Sequence, residues 1–198
     1  ISTINATMGA VKLTIDKLTG QTVLFDAGGT GGDLELKLTD ATGTADSINV
    51  TLDGGEDDAS QLIIADVETV NITTKTAAAE LDLSQITHGT ALKTVKLVID
   101  GNQNLTIADT ALSTDINIID ASALTGALAI DVASASATTI TGGSGADTLL
   151  GGAANDVIVG GSGADTITGA AGSDTLTGGL GADDFVLLMT ESNKFIMD

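Results

Sequence analysis

The sequence predicts an all-β chain in which a strand-rich N-terminal region leads into a right-handed parallel β-solenoid that ends in a block of nonapeptides. Three observations predict it. The 198 residues include no Cys, Pro, Trp or Tyr and only three Phe, so the core must be built from Val, Ile, Leu and Ala, which suits thin stacked layers. Short runs of alternating apolar and polar residues recur between Gly, Asp and Thr clusters, the pattern of strands joined by turns. From residue 142 to 186 a nine-residue unit repeats five times, and fixed-period repeats fold as stacked coils. Helix is disfavoured, because β-branched residues dominate and no 3.6-residue apolar stripe persists.

These patterns divide the chain into four segments. Residues 1–58 are the entry region, with the runs AVKLTI, TVLF, LELKLT and SINVTL. Residues 59–141 are irregular coils, whose apolar centres Val70, Leu83, Leu97, Ile107, Ile118, Ile130 and Ile140 fall roughly 10 to 14 positions apart, the spacing of strand, turn, strand, turn. Here DLSQITHG (Asp82–Gly89) echoes DASALTG (Asp120–Gly126), either as a repeat or as the generic turn chemistry of Asp-x-Ser. Residues 142–186 are the nonapeptide block and 187–198 a C-terminal extension.

Charge and composition exclude several functions. Seven Lys, no Arg and 27 acidic residues give a net charge of -20, which repels nucleic acid and anionic lipid and suits a chain that collects cations. The absence of Cys removes disulfides and thiolate metal sites. No apolar run reaches the length of a membrane span, and the chain opens at Ile1 without a charged-then-apolar leader, so it reads as a piece of a longer secreted protein. There is no His-Glu-x-x-His helix, no Gly-x-Ser-x-Gly elbow, and no Cys or Arg for nucleophilic or anion-binding roles. The expectation is a segment that is not an enzyme.

The nonapeptides 142–150, 151–159, 160–168, 169–177 and 178–186 have the form Gly-Gly-x-Gly-x-Asp-x-apolar-x. Six residues make a turn that needs Gly for positive φ and close backbone approach, and three make a short strand whose central residue points inward. Leu149, Ile158, Ile167, Leu176 and Phe185 are those inward residues, with Ile140 extending one stack upward. Two nonapeptides complete a coil. Asp147, Asp165 and Asp183 then form one carboxylate ladder and Asp156 and Asp174 another. At about 4.8 Å between coils, adjacent carboxylates repel by roughly 3 kcal/mol at an effective dielectric near 20, so a divalent cation is expected between the rungs. With neither His nor Cys in the block, the donors are all oxygen, which selects a hard ion and favours Ca²⁺ over Mg²⁺.

These five copies resemble the calcium-binding repeat of the RTX family, and the resemblance is strict over about a quarter of the chain. It implies that the solenoid ends in a calcium β-roll. It also implies six-oxygen sites shared by two stacked turns, with carbonyls from the second and fourth positions of the upper turn, carbonyls from the first and third of the lower, and both Asp side chains. One site then comprises Gly143, Gly145, Asp147, Gly160, Ser162 and Asp165; a second Gly161, Gly163, Asp165, Gly178, Leu180 and Asp183; the third, on the opposite edge, Gly152, Ala154, Asp156, Gly169, Ala171 and Asp174. Ala154 and Ala170 replace pattern glycines on that third site's edge. A Cβ at a positive-φ position costs on the order of 1 kcal/mol, so the third site is expected to be the weakest.

Outside the block, GGTGGDLEL (Gly28–Leu36) is a lone copy with Glu35 at the apolar position, which makes Asp33 a weaker metal candidate. GTADSINV (Gly43–Val50) and DGGEDD (Asp53–Asp58) are either further calcium turns or solvated acidic turns. His88, the single histidine, lacks a partner for an imidazole site and reads as a surface loop residue. The coils over residues 60 to 186 also resemble, more loosely, the C-terminal part of bacterial surface-layer (S-layer) proteins. That resemblance implies type I secretion, a place on the cell surface and calcium-dependent self-assembly into a lattice, with any contact to polysaccharide or lipopolysaccharide made by parts outside this chain. The alternatives are a segment of a large RTX adhesin and the secretion module of an RTX hydrolase. Val157 and Val159 stand at outward positions, where they pack against either another segment of the chain or a neighbouring protomer.

Overall fold

The structure is a computed structural model. It describes residues 4–7, 11–15, 21–26, 34–38, 47–52, 60–65, 67–84, 86–87, 94–107, 112–132, 136–187 and 194–196. Asp33, Asp53–Asp58, His88 and the first part of GTADSINV lie outside the described residues.

Among the described residues the chain is all β. In order come β1 (Ile4–Thr7), β2 (Val11–Ile15), β3 (Gln21–Asp26), β4 (Leu34–Leu38), β5 (Ser47–Leu52), β6 (Ser60–Ala65), β7 (Thr69–Thr74), β8 (Ala79–Asp82), β9 (Ile86–Thr87) and β10 (Val95–Gly101). Next are β11 (Leu105–Ile107), β12 (Ile116–Leu124), β13 (Leu128–Asp131), β14 (Thr139–Thr141), β15 (Thr148–Leu150), β16 (Val157–Ser162), β17 (Thr166–Thr168), β18 (Thr175–Leu180), β19 (Asp184–Val186) and β20 (Lys194–Ile196). Among the described residues no helix is long and apolar enough to cross a membrane.

The strands alternate between two parallel sheets. The first runs β1-β3-β5-β7-β10-β12-β14-β16-β18-β20, and the second β2-β4-β6-β8-β11-β13-β15-β17-β19, with β9 beside β6. Every step down a sheet is one coil of the chain, which makes the molecule a β-solenoid. The stacking begins with β1 on β3 and runs from β5 to β7 and from β14 to β16, so the entry strands and the roll share the same two sheets.

Alternation along each strand decides what is buried. In β7 the pattern of half-buried and buried residues alternates strictly, and the inward Val70 and Ile72 are fully covered. Coils in the middle of the solenoid are longer than those below it: Asn71 bonds Asn49, 22 residues earlier, whereas in the roll Asp147 bonds Asp165, 18 residues later. The 18-residue register places Leu149 on Ile167 and Phe185, and Ile140 on Ile158 and Leu176. All of these are fully buried except Phe185, which is half-buried against the same core. Each fully buried Leu or Ile contributes about 1.5–3 kcal/mol, so the roll's thin core leaves little margin for unneutralised charge.

One apolar centre faces the other way. Ile118 is exposed, while Ile116 and Ile119 are buried. The pairing of β10 with β12 slips between Val95/Lys96 and again between Val98/Asp100, and an extra residue at a bulge reverses the facing of the residues beyond it.

Candidate metal centre

The turns of the first, third and fifth nonapeptides carry the chain from the first sheet to the second, and those of the second and fourth carry it back. Each edge of the roll therefore holds one of the two expected Asp ladders. Asp147, Asp156, Asp165 and Asp174 are buried, and Asp183 at the foot is partly exposed.

Each carboxylate is tied to the coil above. The Asp147 amide donates to Asp165 Oδ1 at 2.8 Å, the Asp165 amide to Asp183 Oδ1 at 3.0 Å, and the Asp156 amide to Asp174 Oδ1 at 2.8 Å. The two ladders end upward on residues that are not acidic: the Leu128 amide donates to Asp147 Oδ1 at 2.8 Å and the Thr138 amide to Asp156 Oδ1 at 2.7 Å.

The second carboxylate oxygen separates two kinds of turn. In the first two nonapeptides it is closed on its own turn, where Gly143 N donates to Asp147 Oδ2 and Gly152 N to Asp156 Oδ2, each at 2.8 Å. In the lower three the second position has φ of 112° (Gly161), 63° (Ala170) and 96° (Gly179). Asp165 Oδ2 is then buried and accepts no hydrogen bond. A buried oxygen of an ionised carboxylate in that position is costly without a partner.

Electrostatics obey the same geometry. Burial pushes the carboxyl groups of Asp147, Asp156 and Asp165 above the ordinary carboxylate range, donated amides work against that rise, and the next carboxylate down each ladder adds to it. The counteracting groups are all backbone amides; no side-chain cation contributes.

In the first three units the first glycine has a role beyond turn geometry. A Cβ on Gly151 would stand 2.7 Å from both Asp156 Oδ2 and the Gly169 carbonyl. A Cβ on Gly142 would collide with Asp147 Oδ2 and the Gly160 carbonyl, and one on Gly160 with Asp165 Oδ2 and the Gly178 carbonyl. In each of the three expected sites the upper carboxylate and the lower turn's first carbonyl thus converge on one bare Cα, leaving a cradle lined by oxygen. Gly142 and Gly151 are not among the candidate ligands, and their regular place in the repeat is explained by this packing rather than by φ.

In the lower three units the fourth-position glycines do carry positive φ, 131° at Gly163, 133° at Gly172 and 141° at Gly181, and a Cβ on any of them would collide with the carbonyl of Gly145, Ala154 or Gly163 one coil above. Three other candidate carbonyls are also engaged in the ladder: Gly143 accepts from Ser162 N at 2.9 Å, Gly152 from Ala171 N at 3.1 Å, and Leu180 from Gly163 N at 2.7 Å. A carbonyl retains a second lone pair for a cation. Among the described residues no three carboxylate or imidazole side chains converge, so two carboxylates completed by carbonyls are the donor set available. Oxygen donors with an orphaned buried carboxylate oxygen fit a hard cation.

Strain falls on Ala170 alone among the described non-glycine residues. Ala154 escapes it because its turn is the uppermost nonapeptide on that edge and takes the closed form. Ala170→Gly is expected to raise stability in calcium by about 0.5–1 kcal/mol, since relief of the left-handed Cβ outweighs the added unfolded-state entropy. Calcium-saturated thermal unfolding measures this; the same change at Ala154 should lower stability instead.

The fold and these stacked turns define a β-solenoid that ends in a β-roll lined by carboxylate ladders. Residues 133–167 and 150–185 match the family model of the RTX calcium-binding nonapeptide repeat (4 copies). The match spans about a quarter of the chain and supports the RTX family for the segment that contains both ladders. None of the curated proteins compared matches the chain.

Proposed function

We propose that residues 142–186 form a calcium-folded β-roll with three sites, within a non-catalytic structural segment of a secreted bacterial cell-surface protein of the surface-layer type. The observation that carries the calcium reading is Asp165 Oδ2, buried without a hydrogen bond between two further rungs of its ladder. A cation on either side of Asp165 supplies the missing partner and removes the repulsion along the ladder. Asp165 serves the first and second sites, and Asp156 with Asp174 the third. The chain's own residues position these oxygens through the amide bonds described above, and the bound ion supplies charge neutralisation only.

The surface-layer reading is supported by the continuity of the two sheets from β1 to β20 and by a net charge of -20 that calcium offsets outside the cell. On this reading the chain stays unfolded through type I export from a calcium-poor cytosol and folds in millimolar calcium, the affinity range of extracellular modules.

Circular dichroism through a calcium titration is the test. Strand signal from the roll is expected to appear cooperatively with added Ca²⁺ and to be lost in excess chelator. A strand signal unchanged by chelator would overturn calcium-coupled folding.

A further inference from the structure

We propose that the coils above the roll fold without calcium and serve as its template, so that the roll forms from its top rung downward. The inference concerns the order in which the proposed sites are built and rests on the calcium reading. All four buried carboxylates among the described residues, Asp147, Asp156, Asp165 and Asp174, lie in the roll. Above them the same stacking positions are neutral. On one edge Leu128, Leu105 and Ala79 continue the Asp147 ladder upward, in register and buried. On the other edge the buried Thr138 stands above Asp156.

Turns in the upper coils are closed by uncharged groups. The buried Thr74 hydroxyl accepts from the Gln103 amide at 3.2 Å and donates to the Gln103 carbonyl at 3.1 Å. Asn104 Oδ1 accepts from the Ala127 amide at 2.9 Å. The core changes at the same junction. Among the described residues 24 apolar side chains are buried between Ile48 and Val132, and four between 142 and 186. The coil of β10 and β11 buries Val95, Leu97, Ile99, Leu105 and Ile107, whereas that of β16 and β17 buries Ile158 and Ile167. A solenoid's stability is close to a sum over its coils and their interfaces, and folding propagates between neighbours. Without metal it therefore starts in the stack from β7 to β13, where burial is densest.

At the junction the top rung of each ladder is satisfied without metal. Asp147 accepts from the Leu128 and Gly143 amides, one on each carboxylate oxygen, and Asp156 likewise from Thr138 and Gly152. One rung lower, Asp165 Oδ2 has no such donor. The upper coils thus hold the first turn on each edge in its closed form, and calcium is needed from the next turn down. Parallel pairing across 22 residues, as between Asn49 and Asn71, forms slowly because loop closure precedes each contact. An upper stack that is stable at equilibrium is therefore compatible with export of an unfolded chain.

Hydrogen exchange on the full chain, read peptide by peptide in chelator and through a calcium titration, tests this order. In chelator β10 to β13 are expected to stay protected while residues 160–186 exchange at least about a hundredfold faster. Two substitutions outside the proposed ligands separate the top from the foot. Ile140, stacked between Ile119 and Ile158, joins the upper coils to the roll, and Phe185 lies on the last strand of the second sheet. Ile140→Ala is expected to raise the calcium midpoint at least about threefold for both 142–159 and 178–186, and Phe185→Ala for 178–186 alone. Free exchange of β10 to β13 in chelator overturns the template and leaves calcium binding in place. So does an unchanged midpoint in a folded Ile140→Ala, or any rise of the 142–159 midpoint in Phe185→Ala, which decides the order even where Ile140→Ala fails to fold. Residues 160–186 that are equally protected in chelator overturn the calcium reading, and this inference with it.

Discussion

Asp165→Asn is expected to remove two calcium ions where any other single Asp→Asn change in the ladders removes one, and to stabilise the roll when calcium is absent. Both effects arise from its place as the middle rung. Its carboxylate accepts from the Asp147 amide, and its own amide donates to Asp183. Under the proposed assignment it is therefore common to the sites above and below, whereas Asp147, Asp156, Asp174 and Asp183 each belong to one. Asparagine keeps an oxygen for the Asp147 amide, so the hydrogen bond survives and only the charge is lost. In chelator that loss relieves the buried, unpartnered Oδ2 and the repulsion from both neighbours. Each such pair is worth roughly 3 kcal/mol at an effective dielectric near 20, so a gain of about 1–3 kcal/mol is expected after screening. In saturating calcium the sign reverses, because two ions no longer bind. Isothermal calorimetry gives the stoichiometry; strand signal retained in chelator relative to the wild type, and denaturant melts in calcium, give the two signs. Equal losses of calcium for all five Asp→Asn changes would mean that the rungs do not pair across 18 residues.

The roll was legible because its information is periodic. Asp and an apolar residue recur at fixed positions, so the register Leu149 on Ile167 on Phe185 and the burial of the four upper carboxylates come from counting. What was not legible depends on neighbours outside the period. Ile118 sits where the apolar spacing expects an inward residue, yet the bulges of β12 against β10 turn it outward; nothing in INIIDASAL marks which residue is the extra one. The first and third nonapeptides share the turn Gly-Gly-Ser-Gly-Ala-Asp but fold it differently. Gly143 N closes on Asp147 Oδ2, whereas Gly161 takes φ of 112°. The cause is the coil above. The third unit stacks on another nonapeptide turn, while the first stacks on the Leu124–Leu128 turn, which has Leu128 in place of an Asp. The role of the first-position glycine is hidden for a related reason: a sequence shows that glycine is required but not whether φ or a close approach requires it.

That distinction supports the second large effect, expected for Gly160→Ala. None of the first-position glycines has φ in the left-handed region, so alanine there is free of backbone strain and the effect isolates packing. The added methyl would collide with Asp165 Oδ2 and with the Gly178 carbonyl, two of the oxygens assigned to the second site. Neither has room to yield. Asp165 is buried and held at Oδ1 by the Asp147 amide, and Gly178 is a buried residue within β18. Overpacking of this kind costs typically about 1–3 kcal/mol, and here the methyl also fills the cradle proposed to hold the cation beside Asp165. The expected outcome is loss of the second site, a weakened first site through displaced Asp165, and a calcium midpoint for folding raised by about tenfold or more, as 1.4 kcal/mol is a factor of ten. Ser144→Ala, at an exposed third position, is the matched control and should leave the midpoint unchanged, since its carbonyl and its surroundings are retained. Gly160→Ala with a normal midpoint and full calcium stoichiometry would place the cation away from that Cα and remove the cradle from the account of how the ladder is neutralised.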